Sequence, residues 1–251
     1  MKAGILLAII AGLAAALWFG GVLQPAARDI LISQATATPS LNGEVAVVLT
    51  IENQGEPDRI LSVESVAGPA HFQDSQDGLP VRTGTSSLAQ DAAFVRLTPT
   101  DAVIEDGALL PITLMFESAG RVAIKARFNP PEPGDADVMG HGSLNHVVAS
   151  GPYPSISLTA EETNDGWLAR ITTENFTFSE AQQDGDHIPG HGHGHIYVSG
   201  MKLGRIFSDT FTIGALPAGE HILRVTLNTN NHLSYVVNDQ PLMAETVITV
   251  D

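Results

Sequence analysis

Four histidines lie close together in a chain that contains no cysteine: His187, His191, His193 and His195. The segment GHGHGH at residues 190–195 leads directly into the apolar run Ile196-Tyr197-Val198. Such a run predicts a β-strand, in which side chains at i and i+2 point to the same face. His193 and His195 would therefore present two imidazole nitrogens side by side, and this spacing predicts a metal site.

His232 is the third candidate ligand, because it lies in the turn Asn230-Asn231-His232 after a neighbouring predicted strand. His187 and His191 are auxiliary candidates, and Asp184 or Asp186 could add an oxygen ligand or orient an imidazole. Three or four neutral imidazoles suit Cu(II), Zn(II) or Ni(II), and the usual affinity order favours Cu(II). The alternatives are a loose loop that binds ions weakly and a purely structural role.

The overall charge excludes several classes of partner. The chain of 251 residues carries 28 acidic and 12 basic residues, a formal net charge of −16. Nucleic acids and anionic lipids are bound through clustered lysine and arginine, so neither is predicted as a partner. The lack of cysteine excludes disulfides, zinc fingers and thiol catalysis.

The N-terminus predicts export. Met1-Lys2 is followed by an uncharged apolar run from Ala3 to Leu23, with Trp18-Phe19 near its end. This length is closer to the ~20 residues of a membrane-spanning helix than to the ~7–15 apolar residues of a secretory signal. Residues 1–27 are therefore interpreted as an uncleaved anchor in preference to a cleaved signal peptide.

The remainder of the chain predicts two β-sandwich domains. Short alternating segments, such as Glu44–Glu52, Leu109–Phe116 and Arg121–Phe128, are separated by turn residues. A Pro/Gly-rich stretch at residues 130–154, which contains Met139, His141 and His146, predicts a linker between domains at residues 28–129 and 155–251. The predicted fold class is all-β, with an N-terminal hydrophobic helix.

Residues 29–128 resemble the periplasmic copper chaperone family PCu(A)C, through ATATP at residues 35–39, LTIENQGEPDRI at residues 49–60 and the stretch 112–120. The resemblance implies a cupredoxin-like sandwich that would hold Cu(I) with two histidines and two methionines. Here only His71 falls at a ligand position. The family's His-x-Met segment corresponds to Phe94-Val95-Arg96, so this domain is predicted to have lost its site.

Residues 155–250 resemble an all-β module of exported bacterial proteins. The matching stretches are NFTF at 175–178, GHGHIYVSG at 192–200, PAGEH at 217–221 and VTLNTNNH at 225–232. This resemblance includes His193, His195 and His232, and it implies an exported, all-β, metal-associated module. The predicted architecture of both domains is a cupredoxin-like or immunoglobulin-like β-sandwich.

Together these observations predict a periplasmic copper-binding protein, anchored to the inner membrane, that delivers or buffers copper. Cu(II) is preferred over Cu(I), zinc is the alternative metal, and a copper-accepting periplasmic or membrane protein is the expected partner. A structural interaction module without a functional metal is the alternative. A cupin-like metalloenzyme is less favoured, because no carboxylate follows His195 among residues 196–200, and no enzyme activity is predicted.

Overall fold

A computed structural model describes residues 29–73, 78–100, 103–129 and 146–251. Within these ranges the regular structure consists of β-strands and short 3-10 helices at Leu41–Gly43 and Glu180–Gln182, which confirms the all-β prediction. None of the helices in these ranges has the length and apolar character needed to span a membrane. The predicted N-terminal anchor, Met139 and His141 lie outside the described residues.

The first half of the chain, residues 29–129, forms nine described strands, as the period-two alternation of its apolar residues predicts. Their bounds are β1 Ile30–Pro39, β2 Val45–Asn53, β3 Asp58–Glu64, β4 Ala70–Phe72, β5 Leu79–Val81, β6 Gly84–Leu88, β7 Val95–Leu97, β8 Leu109–Phe116 and β9 Arg121–Phe128. Alternate residues of β2, from Val45 to Ile51, are buried as the pattern predicts. β2 pairs with β1, β6 and β7, whereas β8 lies between β3 and β9.

The second half forms a further set of strands. Their bounds are β10 His146–Val148, β11 Ser155–Thr163, β12 Gly166–Glu174, β13 Thr177–Phe178, β14 His191–Val198, β15 Met201–Ile206, β16 Thr210–Ile213, β17 Gly219–Asn228, β18 Ser234–Val237, β19 Gln240–Pro241 and β20 Met243–Val250. A three-stranded sheet of β11, β12 and β16 packs on β14 and β17 through apolar residues that include Leu158, Ile196 and Val225. β14 is central, since it pairs with β15 on one side and β17 on the other.

The predicted linker, residues 130–154, contains a β-strand within its described part. β10 lies inside it and pairs in parallel with β18, where His146 is opposite Ser234. This correction follows from tertiary structure: a three-residue strand has no detectable alternation of its own, and the edge of β18 supplies its hydrogen-bond partners.

The two halves of the chain are in direct contact. Met201 of β15 is fully buried within the apolar core of the first half. Lys202 of β15 pairs with Ser87 of β6. The amide of Ala93 donates a hydrogen bond of 2.8 Å to the carbonyl of Gly200. These contacts fix the position of the loop that precedes β7 relative to β14.

Candidate metal centre

Two buried histidines face each other on β14. His193 and His195 are 0% and 5% exposed, and their Nε2 atoms lie 3.0 Å apart. β14 pairs with β17 so that His193 is opposite Asn228 and His195 is opposite Thr226. Because one residue separates the histidines on a strand, both side chains lie on the same face, as the spacing predicts.

His232 approaches the pair from the turn after β17. Its ring centroid lies 5.0 Å from that of His193, and its side chain is 37% exposed. The turn is closed by hydrogen bonds of the Thr229 backbone with Leu233 and His232. His232 adopts φ 67°, a left-handed conformation that few non-glycine residues occupy and that is enriched at functional sites.

The three histidines form one group. One nitrogen from each of His193, His195 and His232 lies within 4.8 Å of the others. Two imidazole nitrogens bound to one ion at about 2.0–2.1 Å and near-tetrahedral or right angles are separated by about 2.8–3.4 Å. The His193–His195 pair already has this spacing. His232 would have to move inward, and its exposed position on a turn permits that.

The outer nitrogen of His195 is bound by a carboxylate from the first half of the chain. Nδ1 of His195 lies 2.9 Å from Oδ2 of Asp91. The same oxygen accepts hydrogen bonds from the Tyr197 hydroxyl at 3.0 Å and from Nζ of Lys202 at 2.6 Å. With its proton on Nδ1 and donated to Asp91, His195 would carry its lone pair on Nε2, 3.0 Å from Nε2 of His193.

The second carboxylate at the site is Asp184. It accepts a hydrogen bond from Nε2 of His232, and Nη1 of Arg205 lies 3.4 Å from its Oδ1. The prediction that Asp184 could orient an imidazole therefore agrees with its position. Asp184 holds His232 near the buried pair, and Arg205 offsets the charge of the carboxylate.

Electrostatics keep the buried imidazoles neutral. Burial, together with the neighbouring His195 and His232, lowers the pKa of His193 to about 3. Burial also lowers the pKa of His195, against the opposing effect of the hydrogen bond to Asp91. Since only a neutral imidazole has a lone pair to offer, both histidines are in the metal-binding form at neutral pH.

The two auxiliary candidates lie outside the group. His191 begins β14, and its carbonyl accepts a hydrogen bond of 2.9 Å from the Tyr235 hydroxyl. The ring of His187 lies 5.8 Å from that of Tyr235, next to a separate small cavity. Their role as ligands stays a prediction that this geometry does not favour.

A cavity of about 800 Å³ connects the group to solvent. It is lined by His195 and His232, by Lys202 and Arg205, and on other sides by Asp91 and His146. His146, which the sequence placed on a linker, is thus held by β10 at the rim of this cavity. The cavity gives access to His195 and His232, whereas His193 is fully buried.

His221 and Met201 have packing roles. Nε2 of His221 lies 2.7 Å from the Pro217 carbonyl, and the residue is 1% exposed. Met201 is buried in the core of the first half of the chain, so its sulfur is not available at the histidine group.

The first half of the chain contains an arginine where the chaperone resemblance expects a ligand. Arg96 on β7 pairs across the sheet with His71 on β4. The guanidinium donates to Glu44 and, at 2.9 Å, to Oε1 of Gln73. A cation fixed beside His71 opposes the binding of a metal ion there.

Asp91 is the residue at the site that the sequence did not reveal. No motif surrounds it, and it belongs to the other predicted domain. Tyr197 carried a weak signal, since it continues the i, i+2 series of His193 and His195 along β14. Lys202 lies opposite Tyr197 because the β14–β15 pairing shifts its register between Ile196 and Tyr197.

Comparison with known proteins gives matches only among solved structures: no protein-family model and no curated protein matches the chain. The copper-bound PCuAC domain from PmoF2 matches 41% of this chain over 94% of its own length, with 24% identity and a TM-score of 0.37. The Cu(I) form of DR1885 from Deinococcus radiodurans matches 43% of this chain over 85% of its own length, with 18% identity and a TM-score of 0.33. Fibronectin(III)-like modules of Clostridium thermocellum CbhA match 88% of this chain over 94% of their own length, with 10% identity and a TM-score of 0.26.

The solved structures that match about two fifths of the chain include PCuAC domains, the family that residues 29–128 resemble in sequence. The resemblance of residues 155–250 stays a prediction.

Proposed function

We propose that this chain binds copper at His193, His195 and His232 and delivers or buffers it outside the cytoplasm. The observation that carries the proposal is the 3.0 Å separation of two buried imidazole Nε2 atoms, with a third histidine within 4.8 Å. This is a preformed pair of ligands, and the third is poised beside it.

The donor set favours Cu(II). All three donors are imidazole nitrogens, and Cu(II) binds such sites more tightly than the other divalent first-row metals. Cu(I) prefers sites that include thioether or thiolate ligands, whereas the group contains neither and Met201 is buried elsewhere. Zinc, which also accepts three imidazoles and a water, is the alternative metal.

Binding is proposed in preference to catalysis. The group contains no carboxylate ligand, unlike the cupin arrangement considered above. The cavity beside the group and the exposed position of His232 suit the entry and release of an ion, as delivery or buffering requires. An N-terminal anchor would place the site on the outer side of the inner membrane.

A structural role is the second candidate, and one observation favours it. Each histidine has a partner without a metal: His193 and His195 are within hydrogen-bond distance of each other, and His232 is bound to Asp184. In that case the imidazoles would stabilise the sandwich by themselves, and chelators would leave stability unchanged.

The test is copper binding by the full exported chain and by the double variant His193→Ala/His195→Ala. The wild type is expected to bind one Cu(II) per chain with an electron paramagnetic resonance spectrum of nitrogen ligation, and the double variant to bind none. His71→Ala/His187→Ala removes two histidines outside the group and is the matched control. Stoichiometric copper in the His193→Ala/His195→Ala variant would show that the assigned site is wrong.

A further inference from the structure

We infer that Asp91 is a positioning residue for this metal site, so that the first half of the chain takes part in metal binding although its own chaperone-type ligands are missing. The inference rests on the proposed function. It assigns to residues 29–129 a contribution that their sequence does not indicate.

One carboxylate oxygen of Asp91 contacts three donor groups. Oδ2 lies 2.9 Å from Nδ1 of His195, 3.0 Å from the Tyr197 hydroxyl and 2.6 Å from Nζ of Lys202. Of these three groups, only His195 belongs to the metal group. A histidine ligand whose second nitrogen donates to a carboxylate is fixed in ring orientation and tautomer, and its basicity is raised. Asp91 would therefore keep the lone pair of His195 on Nε2, where the metal binds.

The carboxylate of Asp91 is 42% exposed and forms an ion pair with Lys202, whose Nζ lies 2.6 Å from Oδ2. Its negative charge, close to the group, adds to the attraction for a cation. Lys202 reduces this attraction but also holds the carboxylate in place.

The backbone around Asp91 is well fixed. Asp91 lies in the loop between β6 and β7, where Ala89 and Ala93 are joined by a backbone hydrogen bond of 2.9 Å. The amide of Ala93 donates to the Gly200 carbonyl in the turn between β14 and β15 at 2.8 Å. The side chain of Gln90 donates to Oγ1 of Thr38 at 2.9 Å. The loop is thus anchored both to its own half of the chain and to the strand pair that carries the histidines.

Metal binding and contact between the two halves should therefore be coupled. A metal on Nε2 makes the Nδ1 proton of His195 a stronger donor, and this strengthens the bond to Asp91 across the boundary. By thermodynamic reciprocity, the factor by which metal binding strengthens the contact between the two halves equals the factor by which this contact strengthens metal binding.

The experiment compares Cu(II) affinity and electron paramagnetic resonance spectra of the full chain, Asp91→Ala and Asp91→Asn. Loss of such a carboxylate partner typically costs about 10–100-fold in metal affinity, and Asp91→Ala is expected to fall in this range. Asp91→Asn should lie between it and the wild type, because the amide oxygen still accepts a hydrogen bond but carries no charge. The copper hyperfine coupling should also change, since the ring of His195 is less well oriented.

Asp58→Asn is the control for a general loss of stability. Asp58 is a buried carboxylate of the first half of the chain, and it accepts hydrogen bonds from the amides of Ser118 and Ala119 away from the histidines. Asp58→Asn should lower the midpoint of thermal unfolding without changing the electron paramagnetic resonance spectrum of bound copper. The role of Asp91 would be refuted if both Asp91 variants had the copper affinity and spectrum of the wild type. The proposed function would remain intact if His193→Ala/His195→Ala then bound no copper. If the wild type itself binds no stoichiometric copper, both proposals are wrong.

Discussion

The carbonyl oxygen of Asn228 lies so close to Gly192 that a Cβ atom built on the glycine would be 1.9 Å from it. This approach occurs where β14 and β17 pair, next to the His193–Asn228 register position. It explains why the residue between His191 and His193 is glycine: any side chain there would push β14 away from β17 and displace His193.

The first prediction compares two glycines of the same motif. Gly192→Ala is expected to destabilise the protein by about 2–3 kcal/mol, because a backbone carbonyl cannot yield as a flexible side chain can. Gly194→Ala should cost less than about 1 kcal/mol, since its nearest contacts, Ile206 and Val225, are at 3.4 Å. Urea unfolding of the metal-free chain measures both. Equal destabilisation by the two substitutions would contradict the proposed approach of the strands.

The second prediction concerns the third ligand. His232→Ala should weaken Cu(II) binding by about tenfold or more without abolishing it, because the buried His193–His195 pair remains and a tenfold loss is only about 1.4 kcal/mol. Competition with a chelator of known affinity measures the change. His191→Ala, two residues before His193 on β14 but outside the group, is the control and should bind copper as the wild type does. A larger loss in His191→Ala than in His232→Ala would reverse the assignment.

The third prediction is a pH dependence of stability caused by His221. Burial, followed by the charge of Arg59, lowers the pKa of this imidazole, while the hydrogen bond to Pro217 opposes the shift. The folded state therefore holds fewer protons than the unfolded state below the unfolded pKa of about 6.5. The stabilising contribution of neutral His221 is fully present above that pH and is lost as the pH falls towards the lowered folded pKa.

His221→Gln isolates this effect. The glutamine amide can still donate to the Pro217 carbonyl but does not titrate, so the slope of unfolding free energy between pH 5 and pH 6.5 should decrease by up to about 1.4 kcal/mol per pH unit. Because His193 and His195 are unchanged in both proteins, the difference in slope belongs to residue 221. Parallel stability curves for wild type and variant would show that His221 is not responsible.

The fourth prediction is that the first half of the chain adds no copper site. His71→Ala should leave the stoichiometry for Cu(I) and Cu(II) unchanged, because Arg96, held by Glu44 and Gln73, lies opposite His71 on the neighbouring strand. Metal analysis after dialysis, under reducing and oxidising conditions, measures this. The loss of one bound ion in the variant would mean that this half retains a chaperone-type site.

Most of the fold was predictable from local pattern. Period-two alternation in β2 and β9 determines which residues face the core, and the structure has these strands where the pattern places them. The pattern did not reveal β10, because three residues show no period and the strand depends on the edge of β18. The predicted N-terminal helix cannot be compared, since it lies outside the described residues.

The sequence by itself determined the chemistry and the local geometry of the pair: two imidazoles, one residue apart on a strand, must share a face. The sequence also offered His232 as the third candidate ligand, whereas only the tertiary structure decided that Asp91 joins the pair. His232 is brought near by the pairing of β14 with β17, and Asp91 by the contact between the two halves of the chain. Residue spacing constrains neighbours on one strand through the fixed geometry of the backbone. It does not constrain residues that are joined only by strand register and domain packing, which depend on the whole set of buried contacts.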